Sequence, residues 1–165
     1  MKINVKRILL LLILIADMVF IFYNSAQVAA VSSNASQSVT QMVAHVIVPN
    51  YDKLDETEKL NTVASLEAIV REAAHLLQFV PMGFALYLLL CSTELPDKLR
   101  KVRIPLPLCF GFLYALSDEI HQLFVPGRSF QFFDIFMDIC GVTVGIIGGI
   151  ILLLIIDSIK KRKVK

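Results

Sequence analysis

The sequence predicts an all-α polytopic membrane protein, a four-helix transmembrane bundle with short extracytoplasmic amphipathic helices between spans one and two. The 165 residues are 56% hydrophobic and their mean hydropathy is +0.71, whereas soluble domains are about 45–50% apolar. Four apolar segments approach the ~20 residues that cross a bilayer, and basic residues concentrate in three stretches. Residues 1–165 are expected to form one membrane domain.

The four predicted spans cover about residues 8–23, 73–92, 104–124 and 132–156. Span one holds a single internal charge, Asp17. A cleaved signal peptide is the alternative for this first segment, because the small-residue sequence "VAA" at 28–30 follows it. The apolar run is long for such a peptide, and cleavage alone would leave the topology of the other three spans unchanged.

The distribution of charge predicts the orientation. Twelve of the sixteen basic residues lie in the first seven residues, in the connector 93–103 and in the tail 157–165, whereas residues 24–72 hold three basic and six acidic residues. The positive-inside rule therefore places both termini in the cytoplasm of a multi-pass protein of the cell membrane. The lysines and arginines serve as topological anchors that favour anionic membrane lipid. The net charge of +2 gives no reason to expect a nucleic-acid partner.

The long segment between spans one and two is expected to lie on the outer membrane surface. Residues 24–37 are small and polar and predict a loop. Residues 39–47 and 57–71 carry apolar side chains at helical spacing, which predicts two short amphipathic helices. Between spans three and four, Pro126 and Gly127 suit the two central positions of a type II turn.

Ionisable side chains on three predicted spans share one depth, roughly 5–10 Å below the outer boundary at 1.5 Å per residue. A charge in lipid costs ~2.5–3.5 kcal/mol, so these groups are expected to face one another. The candidate catalytic residues are His75, Asp118, Glu119 and His121. The candidate binding residues are Arg71, Gln122, Arg128, Asp134 and Asp138.

Three chemical roles are open for this cluster. It is a structural network in which Arg71 and Arg128 pair with carboxylates, a catalytic or ligand-binding site in which a histidine carries a proton, or a metal site. No spacing matches the HExxH or CxxC patterns of metal sites, so neither a metal nor a cofactor is predicted. Because an unpaired buried charge costs several kcal/mol, at least one arginine–carboxylate contact is expected across helices.

Small residues continue the stripe of Asp134 and Asp138 along span four. Gly141, Gly145 and Gly149 recur at four-residue spacing, and such spacing permits close approach of helices in membranes. A homo-oligomer through this glycine face is a further expectation.

Two segments, "REAAHLLQFVPMGF" and "YALSDEIHQLFVPGRSFQFFDIFMDICGVTVG", resemble the VanZ-like membrane protein family. The recurring features fall here on Arg71 and His75; on Asp118, Glu119, Gln122, Pro126, Gly127 and Arg128; and on Asp134, Asp138, Gly141 and Gly145. "FYNSAQ" at 22–27 is also similar to the end of the family's first span, which argues against cleavage. The chain departs from the family at Glu72, where many members have lysine, and at Gln78 and Phe79, where they have glutamate and tyrosine.

The resemblance implies a bacterial integral membrane protein and no known reaction. The founding member is linked to low-level resistance to teicoplanin, a glycopeptide antibiotic that acts on cell-wall precursors. We therefore expect a polar pocket in the outer leaflet that binds or modifies a cell-envelope component, such as a lipid-linked or cell-surface glycan, with a link to glycopeptide resistance. The alternative is a structural or interaction protein whose buried polar network only stabilises the bundle.

Overall fold

The computed structural model describes residues 5–94 and 96–163, without the side chain at position 98. Within these residues the chain forms α-helices, two 3₁₀ turns and no strand, which confirms the all-α prediction. The helices are α1 (Val5–Ser25), α2 (Ala29–Ile47), α3 (Glu56–Ser92), α4 (Pro105–Gln122) and α5 (Phe132–Lys163). Lys2, Lys165 and the side chain of Lys98, all predicted as cytoplasmic anchors, lie outside the described part.

Two of the described helices, α3 and α5, are long and apolar enough to cross a membrane by length and composition. The predicted spans one and three fall on α1 and α4, which contain 21 and 18 residues. Large apolar side chains are exposed on these helices too, for example Leu12 on α1 and Leu113 on α4. Exposed apolar surface of this extent is typical of a surface that contacts lipid. The four-span bundle itself stays a prediction.

The segment before the second predicted span is not a separate short helix. Residues 57–71 form the first part of α3, which runs without a break for 37 residues. Asp55 starts this helix with a capping box: its Oδ1 accepts from the Glu58 N–H at 2.7 Å, and Glu58 Oε2 accepts from the Asp55 N–H at 3.1 Å. The next residues, around Arg71, are good helix formers and include neither glycine nor proline, so nothing ends the helix before the apolar span.

The predicted loop over residues 24–37 is also largely wrong, because α2 begins at Ala29. Neither glycine nor proline occurs between Ala29 and Ile47. Packing holds the second half of α2, where Thr40 and Ala44 are completely buried and α2 contacts α3. The serine-rich first half has no buried side chain and extends a helix that is anchored further along. Once a helix has formed, further turns are added at low cost, since nucleation is the costly step.

Helices α3 and α5 form the centre of the fold and approach each other through glycines. A Cβ atom at Gly141 would overlap the Leu76 carbonyl oxygen, and one at Gly145 would overlap the Val80 carbonyl oxygen. Gly83 of α3 lies equally close to the Val142 carbonyl. The glycine face of α5 is thus covered by α3, so the surface predicted for a homo-oligomer is occupied within the chain.

Helices α1, α2 and α4 pack around this pair. Tyr114 of α4 donates from its hydroxyl to the Met18 carbonyl of α1 at 2.7 Å. The predicted turn between α4 and α5 is present: the Arg128 N–H donates to the Val125 carbonyl at 3.1 Å, and Gly127 has φ +79°. Both features define a type II turn. The turn docks on the start of α2, because the Ala29 N–H donates to the Pro126 carbonyl at 3.2 Å.

Candidate functional site

His75 joins α3 to α5 at the centre of the polar cluster. Its Nδ1 lies 3.3 Å from Asp138 Oδ1, and its Nε2 lies 3.5 Å from Asp134 Oδ2. The side chains of Asp134 and Asp138 are 3% and 0% exposed, because one helical turn puts both on the α5 face that meets α3. The His75 ring is therefore held between two carboxylates where α3 meets α5. An imidazole ring can donate to both carboxylates at once only when it is protonated.

The carboxyl end of α4 adds two carboxylates that point in different directions. Gln122 donates from Nε2 to Asp118 Oδ2 at 3.2 Å, one turn away on the same face. Glu119 is completely buried, and its Oε2 accepts from the Gln131 N–H at 2.7 Å. Gln131 directly precedes α5, where helix N–H groups lack partners and the helix dipole favours negative charge. Glu119 therefore fixes the start of the helix that carries Asp134 and Asp138.

The two arginines of the cluster do not pair with carboxylates of other helices. Arg71 donates from Nη2 to its neighbour Glu72 at 3.2 Å and to Gln131 Oε1 at 3.4 Å. Arg128 donates from Nε to the Gln27 carbonyl at 3.3 Å. Within the described residues neither arginine has an ion pair with a carboxylate of another helix, so the expected arginine–carboxylate contact across helices is wrong.

The carboxylates near these arginines already have other partners, which explains the difference. His75 contacts both acids of α5, Glu119 accepts from a backbone N–H, and Asp118 accepts from Gln122. Burial lowers the pKa of the Arg128 guanidinium below its ordinary value, and the nearby Arg71 acts in the same direction. Arginine stays charged in proteins even so.

His121 makes no hydrogen bond with the other candidate residues in the described structure. Its ring stacks on Phe22 of α1 with the ring centroids 4.7 Å apart, and its Nε2 is buried without a hydrogen-bond partner in the described structure. This position is on the α1–α4 contact, since His121 belongs to the last turn of α4. The sequence predicted His121 in the last turns of this helix, and the rotation of the helix turns its ring towards α1.

A cavity of about 550 Å³ opens between α1, α2, α3 and α4. Five predicted residues line it: Arg71, His75, Asp118, Gln122 and Arg128. Glu119, Asp134 and Asp138 do not line the cavity. Asp134 and Asp138 contact the lining residue His75. Glu119 accepts from Gln131, whose side chain accepts from the lining residue Arg71. The lining also contains apolar side chains, which include Phe20, Ile21, Val31, Leu77 and Phe79.

Several polar residues of the cavity were missed by the sequence interpretation. Asn24 donates from Nδ2 to Gln78 Oε1 at 3.0 Å and so connects α1 with α3. Asp17 and Ser25 line the cavity from α1. Asp17 could have been found, because it is the one charge inside the apolar run 8–23. Asn24 and Ser25 lie in "FYNSAQ", the sequence that is similar to the end of the family's first span. Gln131 carried no signal, because it acts through its backbone N–H and an uncharged amide.

Hydrogen-bonding capacity in the cluster is only partly used. Buried oxygens without a partner in the described structure include Asp17 Oδ2, Glu119 Oε1, Asp134 Oδ1 and Asp138 Oδ2. Arg71 Nε is in the same state. Native interiors leave few such atoms, and each one calls for an explanation. A search of the described residues finds no group of three or more His, Cys, Asp or Glu side chains arranged to hold a metal ion.

The fold and the site define a class: a helical protein that fits a membrane environment and gathers a histidine, four carboxylates and two arginines at one end of its helix bundle. The family model VanZ/LLP1 matches residues 8–155, and the chain belongs to this family. This confirms the resemblance found in the sequence. Neither a curated protein nor a solved structure matches the chain.

The structure also locates the three departures from the family pattern. Glu72 contacts Arg71, and Gln78 contacts Asn24. Phe79 is 1% exposed and packs near Tyr114, with ring centroids 6.1 Å apart. Two of the three departures therefore alter polar contacts at the cavity. A lysine at position 72 would reverse the charge of Glu72, and a glutamate at position 78 would add a negative charge.

Proposed function

We propose that this protein binds the polar head of an amphiphilic cell-envelope molecule in the cavity beside His75. The observation that carries this proposal is the mixed lining of the cavity. Asp118, Gln122 and His75 line it together with apolar side chains that include Phe20 and Leu77. The last two side chains are 54% and 64% exposed, so the apolar part of the lining reaches the surface of the bundle. A polar head can enter while its hydrocarbon chain stays in lipid.

Unpartnered polar atoms on two lining residues favour ligand binding over a purely structural role. A buried polar network that serves only stability is expected to satisfy all its members, because each unsatisfied group costs free energy. In the described structure Asp17 Oδ2 and Arg71 Nε have no hydrogen-bond partner, and both residues line the cavity. A hydroxyl group of a glycan or lipid head can donate a hydrogen bond to the first and accept one from the second. His75 is also placed to carry a proton in a modification reaction, because carboxylates face both its ring nitrogens.

The structural alternative has one specific observation in its favour. His75 joins α3 to α5 through Asp134 and Asp138, and these contacts are almost completely buried. A cluster that only holds the bundle together needs no more than this. The two functions separate in variants that keep the hydrogen bonds but lose the titratable ring.

The experiment compares His75→Gln with the matched control His45→Gln. His45 pairs with the exposed Asp52 at 2.9 Å and lies near the Tyr51 ring, and its side chain is 62% exposed. Each variant is purified in mild detergent, its melting temperature is measured, and co-purified lipids and glycolipids are identified by mass spectrometry. We expect His75→Gln to retain its fold but lose a ligand that the wild type and His45→Gln both carry. If all three proteins carry the same lipids, or if ligand loss only follows unfolding, the structural alternative is correct.

We further propose four spans with both termini in the cytoplasm and the cavity in the outer leaflet. The charge distribution supports this, because the basic stretches and the cavity lie at opposite ends of the helices. Cysteines introduced at Asn34 and Ser129 should react with an impermeant thiol reagent in intact cells, and one at Lys161 should not. Labelling at Lys161→Cys in intact cells would show that the orientation is reversed.

A link to teicoplanin-type resistance is the most specific part of the proposal and rests on family membership alone. If the cavity mediates it, deletion of the protein should lower the teicoplanin concentration that inhibits growth. Wild type and His45→Gln should restore resistance, and His75→Gln should not. Unchanged susceptibility after deletion would remove resistance from the function and leave the binding proposal untouched.

A further inference from the structure

Two cations lie together where the cavity reaches the protein surface. Arg71 on α3 and Arg128 in the α4–α5 turn both line the cavity, and the Arg71 side chain is 42% exposed. Arg128 is held from the side, because its Nε donates to the Gln27 carbonyl. This contact occupies the inner nitrogen of the guanidinium and orients the planar group. This hydrogen bond to a neutral carbonyl therefore orients the Arg128 side chain but does not neutralise its charge.

Neither cation has a direct contact with a carboxylate of another helix in the described structure. Arg71 has one carboxylate contact, with its own neighbour Glu72, and its Nε is buried without a partner. Arg128 donates to a neutral carbonyl and has no carboxylate within ion-pair distance among the described side chains. Burial and the nearby Arg71 lower the pKa of Arg128, whereas the more distant carboxylates of the cluster act in the opposite direction. An anion between the two guanidinium groups would give both of them a direct charge-assisted contact.

Guanidinium groups select the kind of anion. The planar fork of arginine matches phosphate and carboxylate oxygens in pairs, and two forks can contact different oxygens of one phosphate. The lining of the same cavity includes the apolar side chains of Phe20 and Leu77, which are exposed at the surface of the bundle. A phosphate attached to a hydrocarbon chain fits both features at once, whereas a free phosphate uses only the first.

We propose that Arg71 and Arg128 form a phosphate-binding subsite that selects phosphate-bearing lipids at the opening of the cavity. This deepens the proposed function and rests on it. The phosphate lies between the two guanidinium groups, the hydrocarbon chain extends past the exposed side chains of Phe20 and Leu77 into the membrane, and hydroxyl or amine groups of the head face Asp118 and Gln122.

The test measures lipid binding to purified protein by native mass spectrometry, with phosphatidylglycerol and a neutral diglucosyl diacylglycerol as probes. The variants are Arg71→Gln and Arg128→Gln. The matched control is Arg100→Gln, which removes the same charge from an exposed pair with Asp97 in the connector before α4. Wild type and control should bind phosphatidylglycerol at least about tenfold more tightly than the glycolipid, which corresponds to ~1.4 kcal/mol. Each cavity variant should lose most of this preference and still bind the glycolipid.

Arg128→Lys provides a second variant in case an arginine-to-glutamine change prevents folding. It keeps the charge but loses the fork, so it should fold and show a reduced preference. Equal binding of both lipids by the wild type would overturn the phosphate subsite and leave the proposed function standing. Absence of any bound lipid would overturn both. If inorganic phosphate raises the melting temperature as much as phosphatidylglycerol does, the site binds a free anion and the lipid assignment is wrong.

Discussion

Replacing Gly145 by alanine should separate the two central helices and destabilise the protein, whereas the same change at Gly148 should not. A Cβ atom at position 145 would overlap the Val80 carbonyl oxygen and lie 2.6 Å from the Phe84 backbone nitrogen. Both obstacles are backbone atoms of α3 and cannot rotate away. At Gly148 the nearest atom is a side-chain carbon of Phe84 at 3.7 Å, which is an ordinary contact.

The size of the effect follows from the helix separation that the new methyl group requires. A carbon–oxygen contact needs about 3.3 Å, so α3 and α5 must move apart by roughly 1 Å near position 145. A gap of this size forfeits a quarter to a half of each dispersion contact, and overpacking of cores costs about 1–3 kcal/mol. The helix-propensity gain from glycine to alanine, up to ~1 kcal/mol, offsets only part of this. We expect a net loss of roughly 2 kcal/mol for Gly145→Ala and no loss for Gly148→Ala.

The assay uses a thiol-reactive fluorophore that reports the exposure of cysteines on heating in detergent. Cys91 and Cys140 are partly buried and become accessible on unfolding, whereas Cys109 is exposed from the start. For a chain of this length about 2 kcal/mol corresponds to a fall of roughly 4–8 °C in melting temperature. If Gly145→Ala and Gly148→Ala melt within 1–2 °C of each other, a shift well below that expectation, the glycine contact between α3 and α5 does not hold the bundle as described.

Three further predictions concern other parts of the fold. Asp138→Asn removes the anion facing His75 Nδ1 and should lower the free energy of unfolding by roughly 3 kcal/mol. In the thermal assay it should melt well below Asp157→Asn, a control in an exposed pair. Equal melting temperatures would exclude a stabilising role for the His75–Asp138 contact. Gly127→Ala puts a side chain at φ +79° and 2.9 Å from the Ala29 Cβ, so it should cost about 1–2 kcal/mol, and a melting temperature equal to that of Ser129→Ala would contradict this. Asp55→Ala removes the capping box of α3 and should cost ~1 kcal/mol locally, visible as faster amide exchange at residues 56–60 with little change in overall melting; unchanged exchange would show that the cap is not needed.

Local patterns in the sequence predicted much of the fold, and they failed where neighbouring elements decide the outcome. The apolar runs fall on α1, α3, α4 and α5, and the Pro126–Gly127 pair forms its turn. Residues 24–37 were predicted as a loop because they are small and polar. Most of them instead extend α2, whose second half packs on α3, and no local pattern contains that contact.

The candidate site shows the same division. Arg71, His75, Asp118, Gln122 and Arg128 could be found from the sequence, because charged and amide groups are rare in apolar helices and their depth can be counted from the ends of the runs. Their partners could not be found in this way. A difference of one residue turns a side chain by about 100° around a helix, which is why His121 packs on Phe22 instead of entering the cluster.

The sequence by itself determined that this chain is helical and apolar, belongs to the VanZ/LLP1 family and carries ionisable residues near the ends of its apolar runs. Hydrophobic period, segment length and residue chemistry are local properties, and they are sufficient for those conclusions. Only the tertiary structure decided which group contacts the carboxylates of α5: it is His75, and not Arg71 or Arg128. The tertiary structure also decided that the glycines of α5 pack on α3. Helix rotation and separation determine which groups come within 3–4 Å, and both depend on the packing of all the helices together.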